Sequence, residues 1–93
     1  WKNNMEIFYT EKFEEEYDRL PKDIREKAQK QERLFKNNLH HPSLHIEKLS
    51  PKWKEVWSFR IDKNYRIVFR FLDKDKVLFL NAGPHDWIYK IKF

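Results

Sequence analysis

The spacing of apolar residues along this chain changes twice, and the changes divide it into three parts. Met5 to Tyr9, MEIFY, form a short apolar and aromatic run of strand length. A helical period follows. Thr10 is suited to cap a helix N-terminus, and Glu11 to sit at its positive end. Phe13, Tyr17 and Leu20 then recur at i, i+4 and i+7, the stripe of a one-sided helix. Pro21 punctuates it: the residue before a proline is biased away from helix, while proline itself is tolerated at a helix start. A second helix is predicted from about Lys22. Ile24, Ala28, Leu34, Phe35 and Leu39 hold one face, and Lys27, Lys30, Glu32, Arg33 and Lys36 cover the rest. Asn37 and Asn38 mark its end. So short a connection predicts an antiparallel helix hairpin.

His40 to Lys54 is a polar connection containing Pro42 and Pro51, with room for a short extended piece at His45 to Lys48. From Glu55 the period becomes two. EVWSFRI sets Trp57, Phe59 and Ile61 against Val56, Ser58 and Arg60. Asp62-Lys63-Asn64 is a turn, because Asp and Asn tolerate the backbone angles it needs. YRIVFRF sets Tyr65, Ile67, Phe69 and Phe71 against Arg66, Val68 and Arg70. Asp73-Lys74-Asp75 is the next turn, KVLFLNAG the next strand, and PHDWIYKIKF one turn of helix or a short tail. The expected fold is a single α+β domain, β-α-α-β-β-β. Its helix hairpin packs on one face of a mainly antiparallel sheet. The other face is expected to be open and to carry Ser58, Arg60, Arg66 and Arg70.

Composition narrows the function. Ninety-three residues make one domain. Trp1 to Asn4 precede Met5 and are read as an extension outside the fold, leaving residues 5–93 as the domain. There is no cysteine, hence no disulfide framework and no thiol chemistry. No apolar stretch approaches a membrane span and no signal-peptide pattern is present, so a cytoplasmic protein is expected. Twenty Lys and Arg against 15 Asp and Glu give a net charge of +5, which suits a polyanionic partner or simply a well-solvated surface.

Arg60, Arg66 and Arg70 form a row on one face of two hairpin-paired strands, with no acidic residue between them on that face. Guanidinium forks match phosphate oxygens and stay charged at any working pH. In GPHDWIY, His85 can act as acid or base near neutral pH, Asp86 can orient the imidazole, and Tyr89 can stack or donate a hydrogen bond. Trp87 is read as a packing residue. His40, His41 and His45 invite a metal reading, but no cysteine or helical HExxH pattern accompanies them, so no metal and no other cofactor is expected. The single glycine excludes a phosphate-cradling loop. The chain also lacks a nucleophile elbow and clustered carboxylates for two metals.

The helix pair, WSFRIDKNYRIVFRF, an apolar strand, and Gly-x-His-Asp with a nearby Tyr together resemble the RelE/ParE toxin superfamily. The likeness runs from Met5 to Tyr89, with NYRIVF and GPHDWIY its most specific parts. It implies a compact α+β, microbial-RNase-like fold in a toxin of a type II toxin-antitoxin system. RelE-like members (YoeB, YafQ and HigB types) cut mRNA in the ribosomal A site. By this resemblance Arg66 matches the phosphate-binding arginine, and Arg60 falls where relatives carry Lys or His. His85 falls where RelE has an arginine and YafQ-like members a histidine, and Tyr89 matches the terminal aromatic. His41, in its His-Pro step, resembles an accessory histidine of the YafQ type. RelE's lysine pair is not reproduced; Trp57 and Phe59 fall near those places, which shifts the proton chemistry to His85.

The implied activity is metal-free endoribonuclease cleavage through the 2′-OH, inhibiting translation. Arg60, Arg66, His85 and Tyr89 would be catalytic, with Lys48, Lys52, Lys54 and Arg70 as RNA-binding residues. Implied partners are an antitoxin, the ribosome and mRNA, with no DNA reading by this chain. Two alternatives stay open: a ParE-like inhibitor of DNA gyrase, and an inactive member that binds an antitoxin.

Overall fold

The structure, a computed structural model, describes residues 5–49 and 56–88. The first strand, β1, is Glu6–Tyr9, and helix α1 is Glu11–Asp18. Thr10 caps α1 as its residue type predicts: Oγ1 accepts from Phe13 N at 3.0 Å. Helix α2 is Lys22–Asn37, entered from Pro21 and closed at Asn38. The tight connection is held from its own flanks. Arg25 Nη1 donates to the carbonyls of Asp18 and Leu20, and the Tyr17 hydroxyl to that of Arg25.

A 3-10 turn at Pro42–Leu44 leads into a two-residue strand, β2, Glu47–Lys48. Strands β3 (Val56–Arg60), β4 (Tyr65–Asp73) and β5 (Lys76–Pro84) follow as an antiparallel meander. One further helical turn, α3, spans His85–Ile88. The five-stranded sheet has the order β1-β5-β4-β3-β2, with β1 parallel to β5. The expected plan therefore holds, with β2 and α3 added to it.

Both helices bury their apolar stripes on the same side of the sheet. Phe35 of α2 sits at the centre, its ring 4.9 Å from those of Phe59 and Phe69 and 5.7 Å from that of Phe79; all four side chains are fully buried. Aromatic pairs of this kind contribute about 0.5–1.5 kcal/mol each beyond area burial. Gln31, not an apolar residue, completes the buried face of α2. Its Nε2 donates to the carbonyls of Ser43 and Arg60, tying α2 to the 3-10 turn and to β3.

The second face is not open as expected. Ser58 and Val68 are fully buried, and Val56 and Arg66 nearly so. Val56, Val68 and Ile88 form a small second core, with Leu49 and Leu80 packed against it. Period two correctly separates the two faces. It cannot show that α3 and the end of the long connection return to cover the second one. A register shift assists: Val68 pairs with Asn81 and Phe69 with Phe79, so Leu80 is the extra residue and turns toward this core.

Candidate functional site

Strand register gathers the candidate residues at one end of the sheet. Arg60 closes β3 and stands directly opposite Arg66, the second residue of β4. Arg66 in turn opposes Gly83 on β5, and Tyr65 opposes Pro84. His85 follows immediately, and its backbone N–H donates to the Asn64 carbonyl in the β3–β4 turn at 2.7 Å. Asp62 shapes that turn by accepting from Asn64 N and Tyr65 N, and Lys27 of α2 lies 3.5 Å from its carboxylate. The backbones of Arg60, Arg66 and His85 are thus brought to the same end of the sheet, around a single turn.

The two arginines differ in their surroundings. Arg66 is only 4% exposed. Its side chain crosses the second face of β3: Nε donates to Ser58 Oγ at 2.8 Å, and Nη2 to the His45 carbonyl at 2.6 Å. Arg60 is half-buried, and its Nε is buried without a hydrogen-bond partner among the described residues. Like charges placed directly across a strand pair repel, and a buried donor left unmatched is costly.

The His85 side chain is 45% exposed, and its Nδ1 lies 3.5 Å from Asp86 Oδ1. Solvent can therefore reach the imidazole. The other candidates lie apart. Arg70 is exposed four residues further along β4, about 13 Å at ordinary strand rise, opposite Val56 and Leu78. Lys48 of β2 rests its Nζ 5.9 Å from the Trp57 ring centroid. His41 caps the 3-10 turn, with Nδ1 accepting from Ser43 N at 3.2 Å. It lines a different cavity of about 430 Å³ with His40, His45, Trp57 and Phe71. Lys52, Lys54 and Tyr89 lie outside the described residues. Among the described residues no group of His, Asp and Glu could hold a metal ion, and no helix is long and apolar enough to cross a membrane.

Sequence reasoning missed the supports of the site: Ser58, the His45 carbonyl and Asn64. Hairpin register was the available signal for Ser58, because pairing Arg60 with Arg66 sets Ser58 diagonally beside the latter. His45 is 21 residues upstream of Arg66, and nothing local connects them.

Comparison with known proteins is consistent across the chain. The model of the HigB-like toxin family, described as the RelE-like toxin of the type II toxin-antitoxin system HigB, matches residues 5–85. No curated protein sequence matches. Among solved structures, the YoeB/ParE toxin from Agrobacterium tumefaciens superposes with a TM-score of 0.72 at 21% identity, covering 87% of this chain and 99% of that one. YafQ in the Escherichia coli DinJ–YafQ toxin-antitoxin complex gives 0.75 at 16% identity, covering 92% and 98%. The archaeal RelE–RelB complex from Pyrococcus horikoshii gives 0.70 at 12% identity, covering 87% and 94%. At these identities the structural likeness establishes the fold.

Proposed function

The chain belongs to the HigB-like family of RelE-like toxins of type II toxin-antitoxin systems, and from that premise we propose that it is an endoribonuclease that cleaves mRNA in the ribosomal A site. The observation that carries the reading is the Arg60–Arg66 pair, opposed in strand register at the same end of the sheet as His85, whose side chain is 45% exposed.

Metal-free RNA cleavage needs a group to accept the 2′-OH proton, positive charge for the phosphorane, and a proton for the leaving 5′-oxygen. The 2′-oxygen attacks phosphorus as the bond to the 5′-oxygen breaks. The products are a 2′,3′-cyclic phosphate and a 5′-OH. Arg60 and Arg66 hold the non-bridging oxygens; His85 takes the 2′-OH proton and returns a proton to the leaving 5′-oxygen, so that none is gained or lost overall. Tyr89 retains the nucleotide-holding role given by the family resemblance. Lys48, Lys52, Lys54 and Arg70 serve as phosphate contacts for the longer RNA. The RelE and YafQ structures that this fold matches were solved as complexes with RelB and DinJ. By the same logic this chain is held inactive by an antitoxin that covers its basic end.

A second reading rests on the burial of Arg66. A guanidinium committed to Ser58 and the His45 carbonyl can be structural, which favours a member that binds an antitoxin without cutting RNA. Programmed ribosomes separate the two. Mapping mRNA 5′ ends should show A-site cleavage by the wild-type chain, slowed about 10²–10⁴-fold in His85→Ala. Cleavage undiminished in His85→Ala removes His85 from the chemistry, and no cleavage by the wild type supports the second reading.

A further inference from the structure

We propose that the cavity beside His85 is a nucleobase subsite, in which one base of the RNA strand stacks on the indole of Trp87. The cavity measures about 410 Å³, and its lining includes Glu16, Arg19, Leu20, Tyr65, Gly83 and Trp87. That volume lies within the range of small-molecule sites and holds a base with its ribose. The ligand class rests on the RNA-cleavage reading above. The cavity's shape and chemistry do not.

Trp87 lines the cavity and is 36% exposed, so part of the indole is accessible to a ligand. The ring is also held in place. A Cβ built on Gly83 would lie 2.5 Å from Trp87 Cε3 and 2.6 Å from Cζ3, so the six-membered ring occupies the space that a side chain would fill. Gly83 has no positive φ, so its conformation does not demand glycine; the close approach of the ring does. A ring seated on backbone loses little freedom when a base stacks on it, and this preorganisation favours binding. Base–aromatic stacking tolerates any base, because each has a π-face. Arg19, the exposed C-cap of α1, adds a planar cation that can lie on the base or meet a neighbouring phosphate. The one carboxylate of the wall is already committed: Glu16 Oε1 accepts from Asn81 Nδ2 and Ala82 N.

Position links the cavity to the cleavage site. Gly83 forms part of its lining and stands opposite Arg66, and His85 follows Pro84 directly. A nucleotide seated here would lie against the strand end that leads directly into His85, while the Arg66 guanidinium reaches the other way, over β3 to Ser58 and the His45 carbonyl.

The test uses the full chain and short oligoribonucleotides, intact or carrying one abasic residue at each position in turn. NMR titration follows the Trp87 indole N–H resonance, assigned with Trp87→Phe. Intact RNA should shift that resonance, and one abasic position should weaken binding on the order of tenfold. Gly83→Ala, which displaces the ring without removing it, should weaken binding of intact RNA and leave the abasic RNA unaffected. An unmoved indole resonance, or equal affinity for intact and abasic RNA at every position, overturns the subsite. Cleavage on programmed ribosomes is measured in parallel. Cleavage without a base-dependent shift defeats the subsite alone; a base-dependent shift without cleavage defeats the nuclease reading alone.

Discussion

Arg66 serves the fold whether or not it also meets a phosphate. Its Nε–H and Nη2–H groups satisfy the fully buried Ser58 hydroxyl and the His45 carbonyl, and so hold the end of the long connection against β3. Arg66→Ala is expected to leave those acceptors unmatched and to cost about 1–3 kcal/mol. Urea unfolding measures that cost, and an unchanged midpoint would mean the strut contributes nothing. Arg60 makes the opposite case, since its Nε has no such duty among the described residues. Sequence alternation placed both arginines on one face. It could not distinguish them, because the difference lies in His45, an acceptor 21 residues upstream of Arg66.

Among the elements, the edge of β5 shows how a helix can stand in for a strand. β1 pairs with β5 only from Lys76 to Phe79. Beyond that point α1 and its cap supply the partners. Thr10 Oγ1 donates to the Leu80 carbonyl at 3.1 Å, and Glu16 Oε1 accepts from Ala82 N at 3.2 Å and Asn81 Nδ2 at 2.9 Å. Hydrogen bonds to a charged group are worth about 1.5–3 kcal/mol when one partner is removed. Glu16→Ala is therefore expected to destabilise the chain by that order and to speed hydrogen exchange at the Ala82 amide, with Glu16→Gln recovering part of both. If exchange at Ala82 does not change, the edge is protected by other means. The helical stripe of Phe13, Tyr17 and Leu20 identified α1. Glu16 lies inside that stripe as a polar residue, and only the end of β1 at Tyr9 makes it necessary there.

For the whole molecule, stability depends on two layers staying together, and Tyr9 bridges them outside the core. Its hydroxyl donates to Glu32, joining the edge strand to α2. Burial, followed by this hydrogen bond and the nearby Glu32 charge, pushes its pKa well above the ordinary tyrosine value. A folded-state pKa raised in this way gives stability that is fully present below about pH 10, the unfolded value, and is lost as pH rises beyond it. Thermal unfolding across pH 8–11 should show a steeper alkaline loss in the wild type than in Tyr9→Phe. Equal slopes would show that the bridge carries no such linkage.

The division between sequence and structure follows the range of the forces involved. Period and punctuation are local properties, so Thr10, Pro21, Asn38 and the alternation from Val56 to Phe79 determined the elements and the two faces of the sheet. The helix pair followed in order by NYRIVF and GPHDWIY pointed to the family. Tertiary structure alone decided which face met water. The short extended piece from His45 and the closing helical turn were both legible as local elements, but no pattern showed that they pack on the second face over Ser58, Val68 and Arg66. It also decided that Trp87, read from sequence as packing, rests on Gly83 with a third of its surface exposed. Close approach between residues four apart across a strand end is set by the path of the backbone there, which no periodicity records.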